Sequence, residues 1–131
     1  MLDHIGVAVS NAERSRLFYQ AALAPLGISL IQSIAAADNG SGGAAHGFGT
    51  PGDPWFWVGD NERVGEGTHI AFRAKDRAAV RAFHQAALAA GGVDHGGPGL
   101  RPHYGSDYYA AFVLDPDGIN IEAVCRERDE G

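Results

Sequence analysis

The chain alternates between two hydrophobic periods. Residues 2–9 place Ile5, Val7 and Val9 on one face and His4, Gly6 and Ala8 on the other, the two-residue period of a half-buried strand. Ser10 and Glu13 have the spacing of a capping box and predict a helix through about Ala24, stopped by Pro25 and Gly27. Leu17, Phe18, Ala21 and Ala22 are expected to form its apolar side, packed on Ile5, Val7 and Val9. Residues 27–34, about 45–50 and 54–59 then read as three strands. The stretch 35–47, rich in Ala, Gly, Ser and Asn, reads as a loop or a strand interruption.

The same plan returns. Residues 3–28 align without a gap on residues 68–93, 65 positions later, and ten of these 26 pairs are identical. They include His4/His69, Ile5/Ile70, Phe18/Phe83 and the run Gln20–Ala24 against Gln85–Ala89. Chance at ordinary composition gives about one or two. The second half predicts a strand over 68–74 and a helix from an Asp76 cap to about Ala90, with Val80, Phe83, Ala87 and Leu88 buried. Residues 92–107 read mostly as loop, with a short strand near 93–96. A hairpin of 108–114 and 118–125 follows, turning at Asp115-Pro116-Asp117-Gly118. Pro51 and Pro116 share the same offset. The chain is therefore expected to be one domain, 1–131, made of two modules, 1–64 and 65–131. Each would be marginal alone, so a shared continuous sheet is expected. The tail 126–131 reads as a solvated charge run.

Composition narrows the function. Ten Lys and Arg against 16 Asp and Glu give a formal charge of −6, so nucleic acid and anionic membranes are not expected partners. No run is long and apolar enough for a membrane span, and the start has no signal-type stretch. The single cysteine, Cys125, excludes an internal disulfide and a cysteine-based zinc site, and suits a reducing cytoplasm. Neither a phosphate-binding glycine loop nor a nucleophile elbow is present.

Candidate chemistry lies on the strand faces opposite the helices. His4 and His69 are symmetry mates followed by small residues, and Glu122 has the parity to face the same concavity. Two imidazoles and a carboxylate suit divalent iron, manganese, nickel or zinc with positions left open for substrate. Around them, Trp55, Trp57, Arg73, Arg101 and Tyr108 are candidate substrate-pocket residues. His103 and Tyr104, with Glu122, are candidate proton-transfer groups. His46, His84 and His95 read as surface or loop residues.

The segments DHIGVAV, THIAFRA and LDPDGINIEAV resemble the vicinal oxygen chelate superfamily over essentially the whole chain. That group includes glyoxalase I, extradiol dioxygenases, fosfomycin-resistance transferases, methylmalonyl-CoA epimerases and bleomycin-binding proteins. The resemblance implies an α+β fold: two tandem βαβββ modules forming an open, incompletely closed β-barrel with helices outside. It also implies a homodimer and metal ligands at His4, His69 and Glu122. The fourth ligand of glyoxalase I would fall on Trp57, which cannot ligate, so a three-ligand set is implied. The extradiol pattern would put a His at His103 and a Tyr where Phe112 stands. The activity implied is that of a metal-dependent lyase, isomerase or dioxygenase acting on a small molecule with vicinal oxygens. The alternatives are a metal-free small-molecule binder, similar to bleomycin-resistance proteins, and a regulatory module whose ligands are relics.

Overall fold

The structure is a computed structural model and describes residues 1–40 and 42–128. It has two βαβββ modules. The first contains β1 (Ile5–Ala8), α1 (Ala12–Leu23), β2 (Ser29–Ile34), β3 (Ala45–Thr50) and β4 (Asp53–Gly59). The second contains β5 (His69–Arg73), α2 (Arg77–Ala89), β6 (Val93–Leu100), β7 (Tyr109–Leu114) and β8 (Asn120–Cys125). Each module forms its own four-stranded sheet, in the orders β1-β4-β3-β2 and β5-β8-β7-β6. β1 runs parallel to β4 and β5 parallel to β8; the remaining pairs are antiparallel. The α+β class with two tandem modules is as expected, and the sheets stay open rather than closing into a barrel. The expected continuous sheet is not formed, because β1 and β5 each pair on one side only.

The modules unite through side chains instead. α1 and α2 pack on each other, and one apolar core runs through both halves. Phe18, Tyr19, Phe48, Phe56, Val80, Phe83, Val113 and Ile121 are wholly enclosed, each worth about 2 kcal/mol or more of transfer free energy. Phe72 of β5 meets Phe56 of β4 edge to face at 5.1 Å, so the halves interlock rather than abut.

Polar groups fix the same junction. Asp115 is buried and accepts from the Tyr19 hydroxyl at 2.6 Å and from the Asp117 and Ile119 amides at 2.8 and 2.9 Å. Burial pushes the Asp115 carboxyl up despite these donors, and pushes the Tyr19 phenol up as well. Asp117 accepts from the Ser10 amide and hydroxyl and from Arg14. The turn of the second module thus clamps the start of α1.

That clamp explains one correction. Ser10 does not cap α1, because its hydroxyl is committed to Asp117. Asn11 caps instead, accepting from the Arg14 amide at 2.9 Å. The buried stripe is Ala12, Ser15, Phe18, Tyr19, Ala22 and Leu23, so Leu17 and Ala21 lie outside it. α2 begins at the expected Asp76 cap, but Leu88 is more than a third exposed. The stretch read mostly as loop contains the eight-residue strand β6, bulged twice against β7. His46 is buried on β3 with Ser33 bonded to its Nδ1 at 2.8 Å, contrary to its reading as a surface or loop residue. His84 is mostly covered and bonded to Asp94, while His95 is exposed. Within the described residues no helix is long and apolar enough to cross a membrane. Residues 129–131 of the expected charged tail lie outside the described residues.

Candidate metal centre

β5 and β8 bring His69 and Glu122 together. Their parallel register pairs His69 with Asn120 and Ala71 with Glu122, which puts the imidazole and the carboxylate on one face. His69 Nε2 lies 3.1 Å from Glu122 Oε1, and His69 Nδ1 lies 3.0 Å from the Asn120 carbonyl oxygen. A carbonyl only accepts, so Nδ1 carries the proton of the neutral ring. In the neutral ring Nε2 presents a lone pair to a carboxylate oxygen, and in the protonated ring it donates to that oxygen. Two acceptors at this distance are reconciled only by a shared proton or a cation between them. A backbone carbonyl on the far nitrogen is also how metal-binding imidazoles are oriented.

Glu122 is almost wholly enclosed, 2% exposed, so its charge needs partners. Its second oxygen accepts from the Tyr108 hydroxyl. Burial, and then this bond to a carboxylate, push the Tyr108 phenol up to about 12, so it stays a donor through neutral pH. Tyr108 in turn packs beside Tyr104, ring centres 5.2 Å apart, and Tyr104 beside His103 at 4.1 Å. His103 and Tyr104 are exposed and touch Glu122 only through that line of rings. Phe112, paired with Glu122 across β7 and β8, stacks on His69 at 6.2 Å.

His4 stands apart from this pair. It precedes β1, its side chain is 61% exposed, and its Nδ1 is bonded to Asp3 at 2.7 Å. Among the described residues no three His, Cys, Asp or Glu side chains come close enough to hold a metal ion. His4 instead borders a recess of about 540 Å³ on the face of the first sheet turned away from α1, with Gly6, Ala8, Trp57 and Gly59. Trp57 lies flat across Gly47, where an added Cβ would come within 2.8 Å of the indole. Trp55 turns away and packs on Phe72 at 6.0 Å. Arg73 is exposed beside a smaller apolar recess that His4 and Ala71 also border. Arg101 lines a third recess with His103 and Tyr104.

Two contributors escaped the sequence reading. Asn120 orients His69 through its backbone, which no side-chain pattern reports. Phe112 flanks His69 through the hairpin register, which composition does not encode.

The family model of the glyoxalase/bleomycin resistance protein/dioxygenase superfamily matches residues 1–123. Among curated proteins, none matches. Among solved structures, a glyoxalase/bleomycin resistance protein from Albidiferax ferrireducens T118 is 32% identical, with TM-score 0.74, covering 95% of this chain and 97% of that one. A glyoxalase/bleomycin resistance protein/dioxygenase family enzyme from Burkholderia phytofirmans PsJN is 18% identical, with TM-score 0.69 and coverages of 95% and 98%. Glyoxalase I from Zea mays is 22% identical, with TM-score 0.73; the match covers 98% of this chain but 45% of the maize protein. The last two likenesses concern the fold alone. With the family model spanning both modules, the chain belongs to the glyoxalase/bleomycin resistance protein/dioxygenase superfamily.

Proposed function

We propose that the protein is a metal-dependent enzyme of the glyoxalase or dioxygenase type, acting on a small molecule with vicinal oxygens. In this reading His69 and Glu122 of one copy hold the metal together with His4 of a second copy. The observation that carries it is the His69–Glu122 contact: the imidazole Nε2, on a ring oriented by the Asn120 carbonyl, lies 3.1 Å from a buried carboxylate oxygen. A divalent cation satisfies both acceptors, and the donor set suits iron, manganese, nickel or zinc. When bound, it would supply Lewis-acid polarisation of two adjacent substrate oxygens.

The chain's own groups do the rest. Tyr108 holds the second oxygen of Glu122 and so fixes the carboxylate plane. Phe112 stacks against one side of His69 and limits where its ring can turn. The flat indole of Trp57 offers an apolar wall beside His4. Each sheet has edge strands without a backbone partner, and these give a second copy a place to dock, which supports a homodimer.

The test is elemental analysis of protein purified without chelator or affinity metal, beside His69→Ala. About one transition-metal ion per chain, lost in the variant, is expected. Protein that takes up none of iron, manganese, nickel or zinc offered anaerobically overturns the reading. A small molecule retained by such protein would favour metal-free binding, for which the recess over Trp57 is the natural seat.

A further inference from the structure

The glycine-rich strand β6 is folded around one cation. Arg101 reaches back along it, donating from Nη1 to the Gly99 carbonyl at 2.8 Å and from Nη2 to the Gly97 carbonyl at 2.7 Å. A Cβ at Gly99 would press on Nη1 at 3.2 Å, and one at Gly96 would press on Nη2 at 3.2 Å and on Phe112 at 3.1 Å. The absence of side chains at Gly96 and Gly99 therefore builds the cradle. The guanidinium lies 5.4 Å above the ring of Phe112, the same ring that stacks on His69. A guanidinium has five donors, and the two carbonyls take two of them. Among the described residues no carboxylate pairs with it.

The surroundings offer it no counter-charge. Arg101 lines a recess of about 280 Å³ with His95, His103, Tyr104, Phe112 and Asn120, and no carboxylate is among them. In a chain of formal charge −6 this is a local inversion. Asn120 adds a second signal. Its side-chain Oδ1 is buried with no hydrogen-bond partner, an acceptor left without a donor. Such a group costs about 1–3 kcal/mol unless a ligand completes it.

We infer that this recess is the subsite for the acid end of the substrate: a small hydroxycarboxylate, its carboxylate on the remaining Arg101 donors and its hydroxyl donating to Asn120 Oδ1. This rests on the reading of His69 and Glu122 as the reacting centre. A planar carboxylate suits the guanidinium fork. Inorganic phosphate keeps a P–OH near neutral pH and also pairs with guanidinium, so it serves to separate a carboxylate subsite from a general anion site.

The test is titration of metal-free, full-length protein with glycolate, followed by the backbone amide resonances, beside acetate and inorganic phosphate. Glycolate is expected to shift Gly97, Gly99 and Asn120, and to bind several-fold more tightly than acetate or phosphate. Its affinity is expected to fall about tenfold in Arg101→Gln. A comparable fall is expected in Asn120→Asp, which keeps the side chain's shape and adds a negative charge beside Arg101. Equal glycolate affinity in the parent and both variants overturns the proposal, as does tighter phosphate binding. Glycolate that binds only after metal loading, indifferent to Arg101→Gln, overturns this subsite while leaving the metal reading intact. Glycolate binding without metal, in protein that never takes up metal, would retain the subsite and overturn only the metal reading.

Discussion

The faces of the two sheets turned away from the helices are built on the same backbone and have opposite character. In the first module Gly47 pairs with Trp57 across β3 and β4; at the same place in the second, Phe112 pairs with Glu122 across β7 and β8. One face is an open apolar shelf with a histidine at its margin. The other is a packed polar centre in which Glu122 is bonded to both His69 and Tyr108. Duplication preserved the scaffold, and a few exchanges on one strand face divided the labour. The histidines at the strand starts are common to both modules; the carboxylate and its supports belong to the second alone.

The sharpest break of this comparison lies at the turns. Asp115 is buried with three donors, whereas its counterpart at the same offset, Thr50, is exposed. Asp115→Ala should therefore cost about 3 kcal/mol in urea unfolding, by leaving the Tyr19 hydroxyl and two amides unpaired. Thr50→Ala should stay within about 0.5 kcal/mol. Equal effects would mean that the clamp does not hold the modules together.

A smaller effect separates the shelf from its surroundings. A Cβ at Gly47 would meet the indole of Trp57, whereas one at Gly6 meets nothing within 4 Å. Gly47→Ala should cost about 2 kcal/mol and shift the tryptophan emission, as overpacking does. Gly6→Ala should be neutral or slightly stabilising. Neither should alter metal uptake through His69 and Glu122 beyond what the displaced shelf itself explains.

The smallest contrast is one of pH. His46 is buried on β3 while its counterpart Ala111 cannot titrate, and burial is the main cause that holds the imidazole below its ordinary 6.5. A lowered folded value disfavours the charged ring. The stability it contributes is thus fully present above 6.5 and lost as pH falls through the folded value. Denaturation midpoints taken down this window should decline in the parent and flatten in His46→Leu.

Much of the scaffold is legible from period and repeat. Strand alternation locates β1, and the Asp76 cap locates α2, because both are local signals. The failures are long-range. Ser10 looks like the cap, but its partner is Asp117, 107 positions away, so the role passes to Asn11. β6 looks like a loop because Gly, Pro and His carry no strand signal; β7 imposes the pairing. Leu17 has an apolar side chain, yet the helix turns Tyr19 and Leu23 inward in its place. At the candidate site, the repeat singles out His69 and strand parity singles out Glu122. Tyr108 precedes β7, so its bond to Glu122 depends on how the chain enters the hairpin.

The central claim is that His4 completes the centre of a second copy. It is tested most directly by isolating a heterodimer of His4→Ala and His69→Ala chains, each with its own tag, and measuring bound metal. Each homodimer should be empty. If the ligands come from two copies, the heterodimer has one intact set and should hold about half the parent's metal per chain. A heterodimer as empty as its parents would contradict the account and put all the ligands within one chain.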